Sequence, residues 1–200
     1  VVGFAEILLS KNPPEDMKEH LEIIHDEAKR SVGIAKGLLS YGRKQDQETS
    51  RLAINYVIEG VLRLRANEHK QNNIKVKTAL LEGLPEITGN AARLQQVFLN
   101  LIVNAEQAMI DARKGGTLTI TTKLEGSVIH ATFGDDGPGI KRENLQQLFT
   151  PFFTTKPIGK GTGLGLSICR SIVKEHHGDI RVESTEGHGT NFIVELPVIE

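Results

Sequence analysis

The chain has 200 residues, with 24 Lys+Arg against 25 Asp+Glu, a net charge of −1 at pH 7, and 38% hydrophobic residues without a Trp. That length suits one or two domains and a sizeable core, and the even charge balance argues against a general nucleic-acid or membrane-surface binder. A single cysteine, Cys169, excludes an internal disulfide framework and fits a reducing compartment, and no apolar run approaches the ~20 residues of a membrane span. The chain opens mid-pattern at Val1-Val2-Gly3-Phe4 without an initiator Met, which predicts a piece of something longer.

Val1 to Ser10 reads as the end of an amphipathic helix, with Val1, Phe4, Ile7 and Leu8 on one face. Lys11-Asn12-Pro13-Pro14 stops it and starts another: Asn12 can cap, and proline is tolerated in a first turn. From Glu15 to about Gln45 the apolar positions Met17, Leu21, Ile24, Ala28, Val32, Ala35 and Leu38 recur at threes and fours. That spacing predicts a coiled-coil type seam, weakened locally by Gly33 and Gly37. Two such helices form an antiparallel hairpin with one apolar stripe each. Either two copies pair into a four-helix bundle or the hairpin packs on the next domain of the chain.

Gly42 to Ser50 is polar and reads as a linker. The predicted organisation is a helical hairpin over 1–45, a linker over 46–51 and a second domain over 52–200. In that domain Ile54 to Lys70 predicts a helix, Ile74 to Leu81 a strand, and Ala91 to Ala112 a strongly apolar helix. Leu118 to Thr122 and Val128 to Phe133 predict strands joined at Glu125-Gly126. A short helix comes next over Glu143 to Phe149. Gly161 to His177 is loop then helix, ended by Gly178 in the usual C-terminal position. Ile180 to Ser184 and Thr190 to Leu196 close as a hairpin around Gly187-His188-Gly189. Helices with mainly hairpin-linked strands predict an α+β sandwich, helices on one face of a mixed sheet.

Four stretches carry chemistry. Gly159-Lys160-Gly161-Thr162-Gly163-Leu164-Gly165-Leu166 alternates glycine ahead of an apolar helical run. Such a loop lets the backbone N–H groups approach an anion, and the helix start adds unpaired donors and a positive dipole end. Flexible linkers and turns also collect glycine. Gln96, Asn100 and Asn104 place amides four residues apart on one face of an otherwise apolar helix. That face is either a water-facing side or a site for hard Mg²⁺, which amide oxygens suit. Asp135-Asp136-Gly137-Pro138-Gly139-Ile140 comes directly after a strand. It is an ordinary turn, or a carboxylate placed to accept from an amino group in a tight pocket. Leu148-Phe149-Thr150-Pro151-Phe152-Phe153-Thr154-Thr155-Lys156 reads as a hinge on a mobile loop, with Lys156 and Lys160 placed to meet phosphate.

In this order, Asn100-Leu101-Ile102-Val103-Asn104-Ala105, Asp135-Asp136-Gly137-Pro138-Gly139, Phe149-Thr150-Pro151-Phe152-Phe153, Gly161-Thr162-Gly163-Leu164-Gly165 and Gly187-His188-Gly189-Thr190 resemble the N, G1, F, G2 and G3 boxes. Those boxes mark the ATP-binding domain of bacterial sensor histidine kinases, within the GHKL superfamily. The resemblance covers about residues 52–198. It implies the GHKL (Bergerat) α/β sandwich, and the preceding hairpin resembles the second part of the dimerisation and phosphotransfer domain.

The resemblance also implies roles. Asp135 accepts from the adenine amino group, Gly137, Gly139 and Ile140 shape that pocket, and Thr190 supports the adenine side. Asn104, helped by Asn100, holds Mg²⁺ on the triphosphate. Gly161, Thr162, Gly163, Leu164 and Gly165 line the phosphates under a lid from Phe152 to Gly161, with Lys156 a phosphate contact. Asn100, Asn104 and Lys156 form the catalytic group, and ATP and Mg²⁺ are the implied ligands. The implied partners are a response-regulator receiver domain and a second copy through the hairpin, with no nucleic acid, in the cytoplasm or on the cytoplasmic side of a membrane-bound sensor.

Hydrolysing members and serine kinases of the superfamily carry Glu as a general base four residues before the metal-binding Asn; here that position is Asn100. An amide cannot take a proton, whereas a neutral imidazole nucleophile already has a lone pair. The position therefore favours a histidine acceptor over an ATPase or serine kinase. A non-catalytic nucleotide-binding scaffold is the other reading, and it predicts damaged boxes. None of the seven histidines fits the acceptor context, so the acceptor is expected upstream of Val1. His25-Asp26 is the nearest match but lacks a following Pro. His20 reads as a helix-surface residue. His69, His130 and His188 read as ordinary surface or turn residues, and His176-His177 as a solvated helix end. Gln107 stands where many relatives place Lys. Glu106 is off the amide face and carries no role, and Cys169 reads as core.

Overall fold

The two periodicities resolve into six helices and seven strands among the described residues, which are 1–42, 49–157 and 161–198 of this computed structural model. Two units divide the chain: Val1–Gln45 with Thr150–Gly165, and Asp46–Phe149 with Leu166–Glu200.

In the first unit α1 (Val2–Leu9) and α2 (Glu15–Gly42) pack on each other as a hairpin. Glu6 joins them, 3.2 Å from His25 Nε2 and 3.5 Å from Lys29 Nζ. Both ring nitrogens of His25 are engaged, the other by Asp26 at 3.2 Å. Asn12 is not a cap: it takes the left-handed turn position at φ 49°, and α2 begins three residues later. Val1, Phe4, Ile7, Met17, Ile24 and Val32 are exposed while Leu21 is buried and Ala28 half-buried, so most of the predicted apolar stripe is uncovered among the described residues. The side chains of Ala35 and Leu38, residues 46–48 of the 46–51 linker, and Gly159 and Lys160 lie outside the described residues.

The second unit carries β1 (Ser50–Leu52), α3 (Ile54–Gln71), β2 (Ile74–Leu80), β3 (Ile87–Gly89), α4 (Ala91–Arg113), β4 (Gly116–Glu125), β5 (Val128–Asp135), α5 (Arg142–Leu145), α6 (Gly165–Glu175), β6 (Asp179–Ser184) and β7 (Thr190–Pro197). Five strands form one mixed sheet in the order β2-β4-β5-β7-β6, with only β2 and β4 parallel. β1 and β3 make a separate antiparallel pair; three-residue strands are too short for alternation to reveal them. Leu118, Ile120, Ile129, Ala131, Phe133, Phe192, Val194 and Leu196 share the inner face and are buried.

α4 lies across β4 and β5 on that face, and α3 packs beside it. The α4 side Leu94, Val97, Phe98, Leu101, Ile102, Ala105 and Met109 is buried, and the Phe98 and Phe133 rings stack at 5.2 Å. Each of the larger of these side chains contributes about 1.5–3 kcal/mol by leaving water. α4 starts cleanly because the Asn90 side chain accepts from Arg93 N at 2.9 Å.

Several local expectations change. The helix predicted over Glu143 to Phe149 is confined to Arg142–Leu145, with turns after it. At the end of α6, His177 rather than Gly178 takes the left-handed position, at φ 58°. Gly178 N then donates back to Val173 O at 2.9 Å, the Schellman arrangement.

The histidine readings change most. His69, His130 and His176 are buried, not surface or solvated residues. His69 Nε2 lies 2.7 Å from Glu106 Oε1, and Arg65 Nη2 donates to Glu106 Oε2 at 2.6 Å. Glu106 is thus a buried carboxylate that fastens α3 to α4. His130 sits between Glu125 and Glu195, 3.4 and 3.5 Å away. His176 accepts from Asn90 N at 2.9 Å and donates from Nδ1 to Ile172 O at 2.7 Å. Hydrogen-bond pairing lets the His69 and His176 rings sit inside, whereas His130 Nδ1 is buried without a hydrogen-bond partner among the described residues and the ring has only its two carboxylate neighbours at ion-pair distance.

Candidate functional site

The inner face of the sheet ends in a polar row. Asp135 closes β5 and lies directly opposite Thr190 of β7, and Thr190 lies opposite Ser184 of β6. Gly137 N donates to Asp135 Oδ1 at 2.8 Å, so the loop after β5 folds back onto its own carboxylate. Burial is the main influence on Asp135 and pushes its carboxyl up to about 6. The Gly137 and Thr190 N–H groups pull the other way, and neighbouring Asp136 adds to the rise. Asp136 differs. Burial raises it, but the Thr117 N–H at 2.9 Å and Arg113 at 2.8 Å outweigh burial and hold it below the usual carboxylate range. Two adjacent carboxylates are thereby separated into one that is easily neutralised and one that is pinned and ionised.

The loop is closed from the other side. Gly187 N donates to Pro138 O at 2.7 Å, and Ile140 N donates to Ser184 Oγ at 2.9 Å. Gly139 turns at φ 70° with the Thr185 carbonyl where a Cβ would stand, so only glycine fits there. Ser184 was not singled out in the sequence. Its one available signal was its place at the end of β6, facing the first residue of β7.

Gly137 also fixes where the loop meets α4. A Cβ on Gly137 would sit 3.5 Å from Ala108 Cβ, and Ala108 is one helical turn beyond Asn104. Asn100 and Asn104 are half-buried on α4. Asn100 Nδ2 donates to Cys169 Sγ at 3.7 Å, and Cys169 Sγ lies 3.8 Å from Val97 O. Arg93 Nη2 donates to Glu175 Oε2 at 2.9 Å. These pairs run in opposite order along the two helices, so α6 is antiparallel to α4 and its first turn lies toward Asn104. Burial raises the Cys169 thiol to about 12, which keeps it an inert core side chain.

Asp135, Gly137, Gly139, Ile140 and Thr190 are thus gathered at one end of the sheet, and the Gly137 turn meets α4 at Ala108, one turn from Asn104. The remaining predicted residues, Phe152, Lys156, Gly161, Thr162, Gly163, Leu164 and Gly165, belong to the Thr150–Gly165 segment of the other unit. Within it, Phe152 N donates to Gly163 O at 2.9 Å. Both take left-handed φ, 68° and 67°, and a Cβ on Gly163 would strike the Phe152 backbone. Thr162 Oγ1 accepts from Leu164 N at 3.4 Å, and Thr154 Oγ1 accepts from Lys156 N at 3.2 Å. The aromatic and glycine stretches thus bind to each other as the two ends of one loop.

Residues 89–200 match the family described as Histidine kinase-, DNA gyrase B-, and HSP90-like ATPase. The chain belongs to that family. It is 36% identical over 200 residues to Sporulation kinase C of Bacillus subtilis, covering 99% of this chain and 45% of that protein. It thus spans less than half the length of that curated relative. The solved catalytic domain of the histidine kinase ThkA is 34% identical with a TM-score of 0.66, covering 76% of this chain and 98% of that one. ThkA in complex with the response regulator protein TrrA superposes with a TM-score of 0.74 at 29% identity, covering 99% of this chain and 57% of that one. The GHKL-type sandwich expected from the boxes is the observed fold. Among the described residues no helix is long and apolar enough to cross a membrane.

Proposed function

We propose that this chain is the ATP-binding core of a protein-histidine kinase from a two-component system, with residues 52–200 as the catalytic domain and 1–45 as part of a dimerising hairpin that pairs into a four-helix bundle. One observation carries the reading. Gly137, whose N–H donates to the Asp135 carboxylate, approaches Ala108 one turn from Asn104, which supports a base-recognising group and a metal-suited amide serving the same ligand.

Asp135 accepts from the adenine amino group, and the turns at Gly139 and Gly189 shape the base end around it. Asn104, with Asn100 beside it, turns an amide oxygen toward the triphosphate, a donor suited to a hard cation. Bound Mg²⁺ supplies charge neutralisation across the phosphates. Gly161–Gly165 and Lys156 contact the phosphates, on the strength of their match to the family's loop, and Phe152 to Gly161 forms the lid. Asn100 leaves the site without a general base, which suits an imidazole nucleophile and not water or a serine hydroxyl. The γ-phosphate passes to a histidine and then to an aspartate of a response regulator. Catalysis is then mostly positioning. His25, with both ring nitrogens engaged, is not that acceptor.

Calorimetric titration with ATP, with and without Mg²⁺, tests the site. Asn104→Ala should lose at least about tenfold in Mg²⁺-dependent affinity, the worth of one charge-assisted contact. Unchanged affinity would remove the metal assignment and, with it, the kinase reading.

A further inference from the structure

Ser184 ends β6 with three polar neighbours. Its Oγ accepts from Ile140 N at 2.9 Å, donates to Gly189 O at 2.8 Å, and lies 3.0 Å from Thr190 Oγ1. A hydroxyl has one proton and two acceptor sites. The Ser184 proton is committed to Gly189 O, and one acceptor site to the Ile140 N–H. The contact with Thr190 is then filled only when Thr190 donates its own proton to Ser184 Oγ. That leaves Thr190 with lone pairs alone for the rest of the pocket. Thr190 is directly opposite Asp135, both on the helix-bearing face of the sheet. An ionised carboxylate also offers only lone pairs. Two neighbouring acceptors attract a ligand edge that donates N–H and repel one that presents a carbonyl.

We propose that Ser184 is a positioning residue for base selection: by taking up the Thr190 proton it makes the base end of the pocket acceptor-only, which favours a 6-amino purine over a 6-oxo purine. This rests on the ATP reading above. Ser184 acts through Thr190, and through Ile140 and Gly189, which it holds together. Nothing in the sequence pairs it with Ile140, 44 residues away.

The test compares ATP with inosine triphosphate, whose base presents a 6-oxo group and N1–H where adenine has a 6-amino group and bare N1, by calorimetric Kd on the 200-residue chain. Wild type, Ser184→Ala, Thr190→Val and the double variant are measured, each with a thermal melt. In Ser184→Ala the Thr190 proton is freed, and the preference for ATP should fall about three- to tenfold, the worth of one neutral hydrogen bond. Thr190→Val should narrow the preference similarly, and the double variant no further than either single one, because the two act as one unit. A residue that only braces loops would weaken both nucleotides alike and leave the ratio intact; that result overturns the proposal. If Ser184→Ala does not fold, Thr190→Val decides, and an unchanged ratio again overturns it. A wild-type chain that binds neither nucleotide sinks the ATP reading itself. A wild type that prefers ATP beside a Ser184→Ala variant with undiminished preference sinks only the role of Ser184.

Discussion

ATP affinity should fall as pH drops from 8 to 5, and Asp135 should be the cause. An ordinary aspartate near 3.8 stays ionised across that window. Burial lifts Asp135 to about 6, so its charged form falls from nearly all of the population at pH 8 to about a tenth at pH 5. Only the carboxylate accepts from the base without offering a proton of its own. Affinity should therefore drop about tenfold over that range from this group alone, close to 1.4 kcal/mol. The triphosphate also titrates nearby. The assay is therefore the ratio of ATP Kd values for wild type and Asp135→Asn at each pH, in which the ligand's titration cancels.

The same shift has a linked effect on stability. Between 3.8 and about 6 the unfolded chain holds fewer protons than the folded one at this position, so the fold loses stability as pH rises through about 6. The full shift corresponds to about 3 kcal/mol at most, and solvent screening of a half-buried side chain reduces it to about 1–2 kcal/mol. Bound ATP offsets this by mass action. A wild-type to Asp135→Asn ratio that stayed flat from pH 8 to pH 5 would refute the reasoning.

Glu106→Gln should cost about 3–5 kcal/mol, because it leaves Arg65 and His69 facing an amide in a buried site; denaturant melts would register it as a lower midpoint at unchanged slope, and a change below about 0.5 kcal/mol would contradict the buried-pair reading. Cys169 should resist a thiol-specific disulfide reagent at pH 8 in the folded chain and react promptly in denaturant, since burial holds the thiol near 12; prompt reaction in the native state would mean that α6 is not seated on α4 as described.

The helices and strands of the sandwich were legible because burial imposes a period on sequence. Ile120, Phe133, Phe192 and their alternate neighbours announce strands buried on one face, and Val97, Phe98, Leu101 and Ile102 announce the helix that covers them. The boxes were legible for a related reason: a tight turn demands glycine, and a metal-suited face demands short amides, so each need leaves a mark within a few residues. Asp135 and Asn104 were named on that basis, and the fold brings their segments together through Gly137 and Ala108.

Partners in space leave no such mark. His69, His130 and His176 read as surface residues because a polar residue on an element is ambiguous until its neighbour is known. Those neighbours are Glu106, Glu195 and the Asn90 N–H, between 37 and 86 residues away. Ser184 is ordinary by composition and acquires its place only when strand register sets it beside Thr190 and the loop beside Ile140. The amino-acid order by itself determined the long helices, the five sheet strands and their turns, though not the short β1 and β3, because the longer elements arise from local backbone preference and the rhythm of burial. Tertiary packing alone decided which buried polar groups meet and which way each proton points, because a hydrogen bond between distant residues depends on register and crossing geometry that no local pattern encodes.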